Sequence, residues 1–177
     1  GESRKWLNQY LDETCNPLPD AHVMLASLHA EKKEYRKALE QVNLAIAKAK
    51  TPREPWLQLK LAIHYEFKEF PRCAQTLLQL VSVAPQKADY WKQLSSMLFE
   101  LRHDANALAV LALADRKGYL TKDSEFRNLA NMYFYMQVPY KAGLVLERGL
   151  EAKALNADEK TLEMLANAWL LSRENDK

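Results

Sequence analysis

Glycine is scarce in this chain of 177 residues, which holds only four. Tight hairpin turns and phosphate-cradling loops need glycine at fixed places, so dense β structure and nucleotide loops are excluded at the outset. Cysteine is scarcer still, and Cys15 and Cys73 stand apart, without metal or redox spacing. No apolar run exceeds the eight residues from Ala107 to Ala114, against the about 20 that a membrane-spanning helix needs. No basic-then-apolar leader opens the sequence, and Gly1 fits a cloning remnant. Net charge is nearly absent too, at +2 from 25 basic and 23 acidic side chains. That balance leaves no electrostatic footprint for nucleic acid or anionic lipid.

Catalytic signatures are also missing. There is no Gly-x-Ser-x-Gly elbow, phosphate loop or dinucleotide fingerprint. His22 and His29 lie two helical turns apart with no acidic third ligand, so packed roles are expected. His64-Tyr65-Glu66 lacks the second histidine of a zinc motif, and His103-Asp104 falls in a polar break. The expectation is a non-enzyme with no metal and no cofactor.

What the chain has is helix formers, chiefly Ala, Leu, Lys, Glu and Gln. Between Tyr90 and Leu150 they spell one helical hairpin twice. Trp91, Leu94, Ser95, Leu98, Ala107, Leu111 and Ala114 form the first copy. Phe126, Leu129, Ala130, Tyr133, Ala142, Leu146 and Gly149 form the second, 35 residues on (126 − 91). The small positions Ala38, Cys73, Ala107 and Ala142 step by 35, 34 and 35 residues. Such a period means stacked hairpins, each too small to bury its apolar face alone.

Extended along the chain, the pattern predicts one helical solenoid. A first helix spans 3–14, with Trp6, Leu7, Tyr10 and Leu11 on one stripe. Hairpins follow over about 19–51, 52–87, 88–121 and 122–156, with a half repeat over 157–177. Thr51-Pro52-Arg53-Glu54 and Asn156-Ala157-Asp158-Glu159 read as capping boxes. In the second hairpin Lys60 takes a large apolar position and Leu61 a small one. Leu162, Leu165, Ala166 and Trp169 are expected to open the last unit, which reads as a cut hairpin. The first helix reads either as the second half of a cut hairpin or as a lone capping helix.

The slots and spacing resemble the tetratricopeptide repeat over about 20–177. The resemblance implies an all-α fold, a right-handed superhelix of antiparallel helix pairs whose first helices line a concave groove. Carried over position by position, the groove comprises Asp89, Lys92, Gln93, Ser96, Phe99 and Glu100 on the third repeat. Ser124, Arg127, Asn128, Asn131, Phe134 and Tyr135 follow on the fourth, with Lys160, Glu163, Met164 and Asn167 on the last helix. Ten of these are the binding candidates: Lys92, Ser96, Phe99, Arg127, Asn128, Asn131, Phe134, Tyr135, Lys160 and Asn167. Aromatics among amides and cations suit an extended peptide held through its backbone and a carboxylate. The family's five-residue carboxylate clamp matches at Lys92, Asn128 and Lys160 but fails at Ser96 and Met164, which favours a generic polar groove. Arg127 and Asn131 are expected to serve a partner without supporting the fold, and Lys117 to matter little.

A narrower likeness lies in the segments Val138–Leu150, Leu165–Glu174 and Pro55–Leu59. They resemble the tetratricopeptide protein encoded beside TonB-type energy-transduction genes in some Gram-negative bacteria. That resemblance, and nothing in composition or periodicity, implies a periplasmic accessory of the TonB–ExbB–ExbD machinery, which serves outer-membrane transport including ferric siderophore uptake. The alternatives are a chaperone-like or assembly adaptor for envelope or pilus biogenesis, and a cytoplasmic adaptor for peptide tails.

Overall fold

A computed structural model describes residues 2–14 and 17–175; Gly1, Cys15 and Lys177 lie outside the described residues. Among the described residues the chain is wholly helical. The helices are α1 (Glu2–Glu13), α2 (Pro19–Glu31), α3 (Tyr35–Lys48), α4 (Glu54–Glu66) and α5 (Phe70–Val83). They continue as α6 (Ala88–Glu100), α7 (Asp104–Arg116), α8 (Asp123–Tyr135), α9 (Pro139–Glu151) and α10 (Glu159–Asn175). Two compact units emerge, residues 1–90 and 91–177, with the boundary inside α6.

In the first unit α1 packs on α2, α2 on α3, α3 on α4 and α4 on α5. Ala26, Val42, Ala45 and Trp56 form a core cluster, with Val23, Leu39 and Ile46 against it. Ala38 and Cys73 are fully buried, as small positions where paired helices approach. Burial raises the Cys73 thiol pKa, which disfavours the reactive thiolate. On the α1 stripe Trp6 is 71% exposed and Tyr10 39%, Leu7 is half-buried, and the side chain of Leu11 lies outside the described residues. On that flank, Trp6 and Tyr10 stand open to solvent.

Helix starts also differ from the expected capping boxes. Thr51 is exposed and α4 begins three residues later, at Glu54, with Pro55 in its first turn. Proline does the work there because its missing N–H had no intrahelical partner. Pro19, Pro71 and Pro139 stand in the first turns of α2, α5 and α9. At α10 the cap is Asp158, whose Oδ1 accepts the Thr161 N–H at 2.8 Å.

The turns from first to second helix share one backbone device. Lys33, Lys68, Arg102 and Gln137 have φ of 59°, 55°, 61° and 58°. The next N–H closes each helix by donating five residues back, as from Glu69 to His64 O at 3.0 Å and from Val138 to Tyr133 O at 2.9 Å. This left-handed cap satisfies carbonyls that the helix end would leave bare. It normally calls for glycine, and here Lys, Arg and Gln adopt it.

In the second unit α7 packs on α8, α8 on α9 and α9 on α10. Leu94, Ala107, Leu111, Ala114, Leu129, Ala130, Ala142 and Leu146 are buried. Ser95 fits this core because its Oγ donates to Ala107 O at 2.8 Å. Trp91 packs against Tyr119, with ring centroids 6.4 Å apart. Lys117 is not inert, since its Nζ stands 5.5 Å from the Trp91 ring centre. The expected α10 stripe is corrected as well. Thr161 and Ala168 are the fully buried positions, whereas Leu162 is 49% exposed and Ala166 is exposed. α10 packs against α9, which buries that side of the helix and leaves the Leu162 side to solvent.

Candidate functional site: the face of α6, α8 and α10

The binding candidates all lie in the second unit, on its first helices. Their two best-buried cations are already engaged. Lys92 Nζ of α6 lies 2.6 Å from Glu125 Oε1 of α8, with the two side chains 24% and 15% exposed. The other Glu125 oxygen accepts the N–H groups of Thr121 and Lys122 at 2.8 and 3.1 Å. Burial pushes the Glu125 carboxyl up, but the Lys92 bond and these two N–H groups outweigh it and hold its pKa below the ordinary value.

Arg127 is held more completely. Its Nε donates to Asp123 Oδ1 at 2.7 Å, and its Nη2 to Asp158 Oδ2 at 3.2 Å and Thr161 Oγ1 at 2.7 Å. Asp158 takes the Thr161 hydroxyl at 2.7 Å besides capping α10. The guanidinium pKa is raised, first by the Asp123 bond. The Asp158 carboxyl pKa is lowered, first by the Thr161 hydroxyl. Lys92 therefore ties α6 to α8, and Arg127 ties α8 to α10. Against the expectation that Arg127 serves only a partner, its Nε and Nη2 are bonded within this tie, while its Nη1 stands 4.0 Å from Met164 Sδ.

The amides behave differently. Asn131 and Asn167 are exposed and make no side-chain hydrogen bond among the described residues. With Phe134, Met164 and Leu171 they line a cavity of about 290 Å³ between α8 and α10. Each amide presents an acceptor and two donors, the complement of a peptide unit. Phe134, Met164 and Leu171 supply an apolar wall beside them. Leu171 was missing from the sequence candidates, although it stands one helical turn beyond Asn167.

The remaining candidates divide. Phe99 and Tyr135 meet edge to face at 5.9 Å, and the Tyr135 hydroxyl donates to Asp104 Oδ2 at 3.2 Å. Ser96, Asn128 and Lys160 are exposed. For the carboxylate clamp, Lys92 is paired with Glu125 and Met164 lines the apolar wall, so its positions do not converge as a set of free donors.

Three of the histidines, His22, His29 and His64, are packed, and His103 is exposed. His22 Nδ1 is 2.8 Å from Gln41 Oε1. His29 Nδ1 is 2.5 Å from Glu34 Oε2, and His64 Nδ1 2.7 Å from Glu69 Oε2. Among the described residues no group of three His, Cys, Asp or Glu side chains could hold a metal ion. No described helix is long and apolar enough to cross a membrane.

No protein-family profile matches the chain, and no curated protein sequence matches it. Solved structures do. MamA from strain AMB-1 aligns with a TM-score of 0.62 at 15% identity, over 90% of this chain and 85% of that one. The C-terminal part of a TPR repeat-containing protein from Cytophaga hutchinsonii aligns at 0.58 and 17% identity, over 99% and 67%. YrrB, described as a TPR protein with an unusual peptide-binding site, aligns at 0.56 and 16% identity, over 90% and 81%. At these identities the likeness concerns the fold, which is all-α and of the tetratricopeptide type of stacked antiparallel helix pairs.

Proposed function

We propose that the chain is a non-catalytic interaction scaffold that holds an extended segment of a partner protein between α8 and α10. The observation that carries this reading is the pair of unbonded amides, Asn131 and Asn167, beside the apolar wall of Phe134, Met164 and Leu171. A peptide backbone laid there finds donors and acceptors at the spacing of two successive first helices, and its side chains find apolar contact. The peptide-binding site in the description of YrrB supports the same use of this fold. A peptide array probed with the wild-type chain and with an Asn131→Ala/Asn167→Ala variant tests it. Binding peptides should lose about tenfold in affinity, the equivalent of about 1.4 kcal/mol, while the melting temperature holds. Equal binding by the double variant would remove the proposal.

The narrower reading makes the scaffold a periplasmic accessory of TonB–ExbB–ExbD. Its support is the resemblance in residues 138–150, 165–174 and 55–59. Ala142, Gly143, Val145, Leu146 and Gly149 in the first of these segments are buried, so that part of the likeness sits in packing positions. Crosslinking in the periplasm of a Gram-negative host discriminates. Recovery of ExbB, ExbD or TonB supports the narrower reading, and recovery of outer-membrane or pilus clients instead supports the assembly-adaptor alternative.

A further inference from the structure

Position seven of the first helices is a buried leucine in three hairpins: Leu25 and Leu94 are 2% exposed and Leu129 is 0%. The second hairpin puts Lys60 there, half-buried. An ammonium in a leucine slot is costly unless something pairs with it. Among the described residues Lys60 has no hydrogen bond and no ion pair.

Lys60 lines a cavity of about 220 Å³ between α3, α4 and α5. The other walls are Arg72, His64, Asn43, Gln75, Thr76 and Gln79, and none is a carboxylate. The guanidinium and the three amides carry donors, whereas His64 directs its Nδ1 to Glu69. The nearby acid, Glu69, is engaged outside that lining, 2.7 Å from His64 Nδ1 and 3.5 Å from Arg72 Nη1. Thr76 directs its hydroxyl hydrogen to Arg72 O at 2.9 Å, which leaves its oxygen lone pairs, while the three amides keep their N–H groups. Burial and the Arg72 charge both lower the Lys60 pKa, the condition an anion would relieve.

We propose that this cavity binds a small, multiply charged oxyanion, of the size of phosphate or a short dicarboxylate. An unpaired ammonium, a guanidinium shared with Glu69 and three neutral amide donors, with no carboxylate in the lining, are chemistry such an anion can use. The volume is below the about 300–1,000 Å³ of sites for drug-sized ligands, which sets the upper size. The half-buried Lys60 supplies charge from α4, and Arg72, 59% exposed, supplies it from α5. The site lies on α3, α4 and α5 and does not rest on the peptide reading of α8 and α10.

The test is titration of the full chain with inorganic phosphate and, separately, malonate at pH 7, with chloride holding ionic strength constant, read by calorimetry and amide NMR. Saturable binding of either anion is expected, with shifts centred on Lys60, Arg72 and Gln75. Phosphate alone would assign a tetrahedral guest, and malonate alone a dicarboxylate. Lys60→Leu restores the leucine of the other hairpins, so it should keep the helical spectrum and melt no lower in chloride. It should bind at least about tenfold more weakly. Arg72→Gln should weaken binding less. No saturable response to either anion in the wild-type chain, or equal binding by Lys60→Leu, would overturn the proposal.

Discussion

His64 Nδ1 lies 2.7 Å from Oε2 of Glu69, five residues on and across the turn from α4 to α5. Burial lowers the His64 pKa from its ordinary 6.5 and outweighs the opposing pull of Glu69. The unfolded chain therefore takes up the proton first as the solution is acidified. The stability contributed by neutral His64 is complete above pH 6.5 and is lost as pH falls through the lower folded value. The urea midpoint should fall between about pH 7 and 5, above the range where carboxylates protonate. His64→Gln should flatten that slope, and an unchanged slope would show that His64 does not set it.

Arg127→Ala should lower the melting temperature, because it removes the donor that joins Asp123 of α8 to Asp158 and Thr161 at the start of α10. Asp158→Ala should do likewise and also removes the α10 cap. Hydrogen exchange should rise first in the opening turn of α10. Protection there equal to wild type would show that the tie carries no load.

Two buried helical glycines should respond differently to alanine. A Cβ at Gly149 would meet Leu155 Cδ1 at 2.6 Å, Leu155 Cγ at 2.8 Å and Phe126 Cγ at 3.1 Å. Leu155 is buried and its N–H is bonded to Gly149 O at 2.9 Å, so it has little room to retreat. Overpacking costs about 1–3 kcal/mol, more than the about 1 kcal/mol gained in helix propensity. Gly149→Ala should therefore destabilise. At Gly143 the nearest atoms are the Trp169 ring edge at 3.0–3.3 Å, and Trp169 is half-buried. Gly143→Ala should be close to neutral in the same denaturation assay.

The left-handed turn residues offer stabilising changes. An L residue pays about 1–2 kcal/mol in that conformation, part of which returns as extra freedom when glycine enters the unfolded chain. Gln137→Gly and Lys68→Gly should each raise stability by roughly 0.5–1 kcal/mol. A lower urea midpoint in both would mean that contacts of the longer side chains outweigh the strain.

The helical period was legible because it is written in volume, in the recurrence of Ala38, Cys73, Ala107 and Ala142 at fully buried positions. Helix starts were less legible, since Thr51 matches a capping pattern that Pro55 supersedes. The face of the candidate residues was readable from position, but their availability was not. Whether Arg127 is free depends on Asp158, 31 residues away, and no local pattern announces that pairing. Lys60 was visible as an exception to the slot rule, but its lack of a partner required knowing what surrounds it. α10 defeated its stripe because periodicity names the apolar faces of a helix without saying which one meets a neighbour.

With Lys92 and Arg127 bound into the frame, the face proposed for recognition presents neutral groups at Asn131, Phe134, Met164, Asn167 and Leu171. On that proposal, the charge of a partner segment should matter little to its fit against these five. Ionic strength should act instead on the ion pairs that join α6 to α8 and α8 to α10, the spacers of the frame rather than its reading surface.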